Sequence, residues 1–554
     1  MRFAVLLLLA PLLAADDFDR GYAQYKKYIR RPTLRKRTIG RERLAETEDV
    51  RALKILAASY PKAEKPRDQV QTLIVSLCAD YFAGPEHLPV FREWRANQAT
   101  ARHAYLWYQS LKSELESEGS KPLVAIVKSD RDVFLRAAAL EVLRWNEDPA
   151  LLTLLPEIAG KLPSDAIQRA VMLESCTAAL ATFRKKKKEP EVLAAAEAVI
   201  KRMDEAATLP RTRIVMARYL GIFFGVKYAW RDGKRWLAEI EFIRRGGKQA
   251  KDDNYAKRPT FAGIEATGDR ICYVIDFSDS MLTPLTPPEL KRLPRGPVTG
   301  RAAAERKKKE AKSDKWKRAF RAVKWDKVKN RFDAARELLK VSLLGLEENQ
   351  SFVVIWFGDK ADVLKTTRGL RKASAGNIQK TIAELDSFRP GPKADNRPHG
   401  TLKGATNLHG GLYRAFRLRG KGIVGPGEYV NPVTFKSGCD TIFVLSDGAP
   451  TWDDWSGQDK RDVEDNVGDP ESGHRSANQD ATTLNFPGPF SRAIWVATDV
   501  RRMNLFRKVE IHCVGMGEAS MSLLESLAGA GKGEAINLGG TSASKKKKDP
   551  PAKK

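Results

Sequence analysis

The chain has 554 residues, enough for about three to five ordinary domains. Hydrophobic residues make up 42%, which argues against wholesale disorder, and five scattered cysteines without a Cys-x-x-Cys pair argue against a zinc ribbon or disulfide framework. Lys plus Arg number 97 against 69 Asp plus Glu, a net charge of +28 that suits polyanionic or acidic partners, or simple solubility with basic tails.

Residues 1–15 read MRFAVLLLLAPLLAA: a basic Arg2, an apolar run over 3–13, then Ala14-Ala15 before Asp16-Asp17. At about 1.5 Å per residue this run is too short for a hydrocarbon core of about 30 Å. It reads as a cleaved signal peptide, which predicts a secreted, periplasmic or cell-surface protein. Export weakens any nucleic-acid reading of the charge. No later apolar run is long enough to span a bilayer, so no transmembrane segment is expected in the mature chain.

Residues 16–45 are polar and very basic, predicting an extended arm or a loosely packed first helix. Over 46–225 apolar residues recur at three- and four-residue spacing, predicting a helical domain. Its clearest segment opens at Asp132, where a carboxylate suits the helix dipole, and carries a stripe of Val133, Ala137, Leu140 and Leu143. Helix pairs at spacings of about 35–45 residues resemble HEAT-type repeats, or a plain bundle. Residues 226–262 form a connector rich in Trp, Arg and Gly.

From 263 to 540 the pattern changes. Continuous apolar runs at 271–276, 351–357, 441–446 and 509–515 predict buried parallel strands. Helical segments are expected between them, at 326–346, 375–385, 408–416 and 490–506, with another at 520–530. Strand and helix alternate as in a doubly wound α/β sheet, so the expected architecture is α + α/β multidomain. Residues 541–554 are a Lys/Pro-rich tail, expected to be disordered.

In such a sheet, ligands sit outside the carboxyl ends of the strands. Three segments should meet there: Asp276-Phe-Ser278-Asp-Ser280, Gly404-Ala-Thr406-Asn-Leu, and Asp447-Gly-Ala-Pro-Thr. They offer two carboxylates and three hydroxyls. Hard oxygen donors suit magnesium rather than zinc or copper. So few charges would leave the ion electron-poor and receptive to one more anionic ligand, such as an Asp or Glu of a partner.

These three elements resemble the von Willebrand factor A domain and its metal-ion-dependent adhesion site. YVIDFSDSM is similar to its Asp-x-Ser-x-Ser element, GATNLHGGL to its central Thr element and LSDGAPT to its Asp-Gly element. The likeness covers roughly half the chain and implies a Rossmann-like fold. It further implies ligation of Mg2+ (or Mn2+ or Ca2+) by Asp276, Ser278, Ser280, Thr406 and Asp447. The hydroxyls would ligate directly, and the aspartates often act through water. The family binds proteins and is not itself catalytic. Asp279 stands where that pattern often has Gly, adding negative charge at the rim.

Two insertions leave the sheet at the same edge, at 281–325 and 451–487. Over 289–331 there are 17 basic and 5 acidic residues, and over 451–480 nine acidic and three basic, with Trp452 and Trp455. The two insertions are expected either to pair as a lid over the metal or to be solvated separately. Asp279, Asn407, His409, Trp452 and Trp455 are candidate rim residues. No GxxxxGK[ST], HExxH or GxSxG motif is present, and the six histidines do not cluster. The chain therefore reads as a binder of a protein presenting Asp or Glu, not as an enzyme. Two alternatives remain: a scaffold that binds through its helices with a structural metal, and a charge-driven binder of anionic cell-surface polymers.

Overall fold

In the computed structural model, the described residues are 16–64, 67–97, 104–226, 230–247, 260–294, 314–388, 405–424, 432–460 and 483–539. The signal-like segment and the basic tail lie outside them. Among the described residues no helix is long and apolar enough to cross a membrane. The chain divides into two compact units, one of 1–98 with 457–486, the other of 99–456 with 487–554.

The first unit contains α1 (Asp17–Tyr28), α2 (Leu34–Ala45), α3 (Val50–Ser59), α4 (Arg67–Tyr81) and α5 (Leu88–Asn97). The expected basic arm is thus a pair of helices. Asp16 and Thr33 cap them, accepting from the backbone N–H of Asp19 and of Lys36. The two pack closely because α2 carries Gly40 where a Cβ would lie 2.8 Å from Cβ of Tyr28. The ammonium of Lys36 is buried between the rings of Tyr28 (5.5 Å) and Phe486 (4.9 Å). Phe486 belongs to the hairpin Gly457–Asp459/Leu484–Phe486, so part of the acidic insertion is built into this unit.

In the second unit, helices come first: α6 (Ala104–Glu118), α7 (Lys121–Ser129), α8 (Val133–Trp145), α9 (Leu151–Gly160), α10 (Ala166–Leu180), α11 (Pro190–Ile200), α12 (Pro210–Phe224) and α13 (Gly233–Arg244). Asp132 caps α8 as its position predicts, accepting from Phe134 N (2.8 Å) and Leu135 N (3.2 Å). The apolar stripe of α8 widens to include Ala138, Ala139 and Val142, because α6, α7, α9 and α10 surround it.

The sheet follows, with strands β1 (Arg270–Asp276), β2 (Ser351–Phe357), β3 (Ala361–Val363), β4 (Arg371–Lys372), β5 (Thr441–Ser446), β6 (Glu510–Gly515) and β7 (Ala535–Asn537). Its order is β7-β6-β5-β1-β2-β3, with β4 also on β2. The strands from β7 to β2 run parallel, while β3 and β4 are antiparallel additions at the edge. The accompanying helices are α14 (Arg331–Gly345), α15 (Ala375–Ser387), α16 (Leu408–Phe416), α17 (Ala493–Asn504) and α18 (Met521–Gly531). Alternation along β1 sends Ile271, Tyr273 and Ile275 into a core with Phe332, Leu339 and Ile382 of α14 and α15. Val274 points the other way, against Gly411 of α16. The chain is therefore mixed α/β, helices followed by a largely parallel sheet.

Buried charges join the helices of this unit to its sheet. Lys508 Nζ lies 2.5 Å from Glu141 of α8, with both side chains at most 5% exposed. Arg218 of α12 pairs with Glu510 of β6 at 3.3 Å and donates to the carbonyls of Lys508 (3.1 Å) and Asp440 (3.3 Å). Burial alone would raise the carboxyl of Glu510, but Arg218, His512 and Thr267 outweigh it and hold the carboxyl down at about 2.

Candidate functional site

Strands β2, β1 and β5 end level with one another. Asp276 lies beside Phe357 in the parallel register, and Ile275 beside Leu445. The strand interiors are mostly apolar, and Asp276 and Ser446, the last residues of β1 and β5, bring polar side chains to the carboxyl edge. Phe277 N then donates to Phe357 O (2.7 Å), which starts the loop.

The carboxylate of Asp276 shapes that loop. Its Oδ1 accepts from Ser278 N (2.8 Å), and its Oδ2 accepts from the hydroxyl of Ser446 (2.7 Å). The turn brings Ser278 Oγ within 2.9 Å of Ser280 Oγ. Ser280 Oγ in turn donates to Asp447 Oδ1 at 2.7 Å. The side-chain oxygens of Ser278, Ser280 and Asp447 thus form one connected chain, which the backbone N–H of Ser278 ties to Asp276. Asp276, Ser278 and Asp447 are buried, while Ser280 is exposed and opens the cluster to solvent. Burial, and next the like charge of Asp447, push the Asp276 carboxyl up to about 7 against the hydrogen bonds from Ser278 and Ser446.

Thr406 is buried on the neighbouring loop before α16. Its N–H donates to Thr451 Oγ1 (2.9 Å), and its carbonyl accepts from the N–H of Thr451 (3.1 Å) and Trp452 (3.4 Å). These bonds fasten the Thr406 loop to the chain that follows Asp447. Among the described residues no hydrogen bond joins Thr406 directly to the other four. Asn407 caps α16 through Gly410 N (2.7 Å) and donates to Asp454 (2.7 Å), so it braces the loop. Asp279 opens a short 3-10 turn, Asp279–Leu282, beside the serines.

His409 and Trp455 have another role. His409 Nε2 lies 2.7 Å from Asp499 Oδ2, and the imidazole stacks on Phe490 with centroids 3.9 Å apart. Trp455 meets Phe490 edge-on at 4.4 Å. Burial would raise the Asp499 carboxyl, but Arg502 and His409 hold it below the ordinary carboxylate range. These residues form a buried aromatic and ionic cluster rather than part of the oxygen chain.

Arg331 and Glu289 join the site without having been picked out in the sequence. Arg331 Nη1 donates to Asp447 Oδ2 (3.1 Å), and its Nε donates to Glu289 Oε1 (3.3 Å). Glu289 is fixed by a capping box with Thr286 on the short helix Pro287–Arg292, inside the basic insertion. Gly517, at φ 56°, leaves room for the guanidinium, since a Cβ there would lie 1.9 Å from Arg331 Cζ. The usable signal was the capping sequence Thr-Pro-Pro-Glu shortly after the Asp-x-Ser-x-Ser loop. For the proposed lid, Asp453 accepts from Trp455 N and Phe490 N, and Asp454 pairs with Arg414. Residues 295–313, with seven of the 17 basic residues, and 461–482, with six of the nine acidic ones, lie outside the described residues.

Among the described residues no group of three or more His, Cys, Asp or Glu side chains is arranged to hold a metal. A cation here would have two carboxylates and must complete its shell from hydroxyls and water. The donor set is all oxygen, which fits a hard divalent ion and not a soft one. Asp447 already has a partner on each oxygen, the Ser280 hydroxyl on Oδ1 and Arg331 on Oδ2, so a cation there would compete with the guanidinium. No protein-family model matches the chain, and no curated protein matches it.

Proposed function

We infer that the chain is an exported binding protein with a von Willebrand factor A-type domain, built on a doubly wound sheet and preceded by HEAT-like helices. Asp276, Ser278, Ser280, Thr406 and Asp447 would hold Mg2+, or Mn2+ or Ca2+. The ion would supply a Lewis-acidic centre for the carboxylate of an Asp or Glu on a partner protein. The observation that carries this reading is the connected chain of oxygens at the ends of adjacent parallel strands, with Ser280 facing solvent. The residues of the chain divide the work. Asp276 folds the loop, Ser278 and Ser280 present hydroxyls, and the loop carrying Thr406 is held in place by Thr451.

Calorimetric titration of the full chain with Mg2+, beside Asp276→Ala, tests the reading. Saturable binding that disappears in the variant supports it; equal binding in both proteins sinks it. Capture of an acidic bait should be lost in EDTA.

Arg331 favours a second reading. It already gives Asp447 a positive partner, so the cluster can serve as a structural knot without an ion. In that case partners bind elsewhere, on the helices or by charge, and Mg2+ leaves the calorimeter silent.

A further inference from the structure

A cavity of about 470 Å³ lies between α6, α8 and α12 on one side and α17 and α18 on the other. That volume suits a small molecule. Five cations line it, Lys112, Arg144, Arg501, Lys508 and Lys532, against one carboxylate, Glu141. Glu141 is used up at the base of the cavity, where Lys508 sits at 2.5 Å and Arg144 Nε at 3.1 Å. Lys112, Arg501 and Lys532 make no ion pair among the described residues. Lys532 also holds a left-handed backbone (φ 57°) at the end of α18, a conformation disfavoured for any residue with a Cβ.

Aromatic rings complete the wall. Trp145 is 54% exposed at the cavity, an unusual position for so large an apolar ring. Lys112 Nζ lies 4.2 Å from its centroid, and Tyr108 is a further lining residue. The three uncompensated cations match a group of three or four negative charges. Two lysines offer point charges, and the arginine offers a planar fork suited to phosphate oxygens. The exposed indole offers a face for a flat ring.

We propose that this cavity binds a small phosphorylated ligand with a flat ring, of the nucleoside di- or triphosphate class. The phosphates lie among Lys112, Arg501 and Lys532, and the ring lies on Trp145. The site is separate from the metal edge and does not depend on that reading.

The test is calorimetry of the full chain in EDTA, with ATP, pyrophosphate and adenosine as probes. ATP and pyrophosphate should saturate a single site, while adenosine should not bind at the same concentrations. The double variant R501E/K532E, changed at two exposed positions, should weaken both by at least roughly tenfold. W145A should weaken ATP several-fold more than it weakens pyrophosphate, whose loss reports only the ring's hold on Lys112. Absence of saturable binding by either phosphate probe overturns the proposal. So does ATP binding that survives R501E/K532E, since that places it on other basic segments. Equal effects of W145A on ATP and pyrophosphate overturn the ring-binding half.

Discussion

Replacing Asp276 by Asn should make the metal-free protein more stable at neutral pH. The carboxyl is fully buried and stands near Asp447, and its protonation midpoint rises from 3.8 to about 7. Since the folded value is raised, the ionised form is penalised in the folded state. The penalty is absent below pH 4, grows as pH rises, and levels off above pH 7. Its ceiling is about 4 kcal/mol. Asn keeps the shape and both hydrogen bonds, because Oδ1 still accepts from Ser278 N and the Ser446 hydroxyl can turn to accept from Nδ2. Part of the ceiling is lost to relaxation, so a gain of about 2–3 kcal/mol is expected at pH 8 and none at pH 4. Urea denaturation in EDTA at the two pH values measures it. An Asn variant that is less stable at pH 8, or a gain equal at both pH values, would refute the charge argument. The same variant should lose any thermal stabilisation by Mg2+.

Four further outcomes are expected. Glu141→Gln leaves the Lys508 ammonium buried without a counter-charge and should cost about 3–5 kcal/mol in denaturant titrations. Glu510 has a depressed folded value of about 2, so its stabilising contribution is complete above its ordinary 4.5 and fades as pH falls towards 2; Glu510→Gln should flatten the acid limb of the stability profile. Arg331→Met removes the cation that competes at Asp447 and, on the metal-binding reading, should tighten Mg2+ binding about tenfold by calorimetry, roughly the worth of one partly buried charge interaction. A fragment starting at 255 loses Glu141 and Arg218, so it should show a lower, broader melting transition than the full chain, whereas a matching transition would mean that the sheet stands alone.

The parallel sheet was legible because its strands are covered on both faces and so read as unbroken apolar runs. Ser351–Phe357 and Thr441–Ser446 begin and end as expected, and so does the helix Leu408–Phe416. The edge strands were not legible. Arg371–Lys372 is two exposed residues long, and Ala535–Asn537 only three, too short to carry a period. The helices at 17–45 were hidden by their polarity. Burial there depends on caps, a close approach at Gly40 and ring contacts with Lys36, none of which appears as a hydrophobic stripe. At the site, the motif spacing picked out Asp276, Ser278, Ser280 and Asp447, which are joined by hydrogen bonds, while Thr406 is bonded instead to Thr451 and Trp452. Arg331 could not be read, because its partner Asp447 is 116 residues away and their pairing depends on the fold.

The same reasoning explains how helices and sheet share one compact unit although the sequence period changes near residue 226. A switch from helical spacing to strand runs reports the local geometry of the chain, not which surfaces cover each other. Beside the ring contact of Phe134 with Phe506, polar pairs join α8 and α12 to the sheet: Lys508 with Glu141, and Arg218 with Glu510 and two carbonyls. In the sequence these are four charges among many on a strongly basic chain, and isolated charges normally read as solvated. Once buried, each makes removal of its partner costly, since an unpaired ion in a low-dielectric interior has no water to replace the lost contact. The helices from 104 to 224 therefore belong to the same compact unit as the sheet, and the division nearest the N-terminus falls at residue 98. A metal-dependent activity at the sheet edge is accordingly best measured on a chain that keeps those helices.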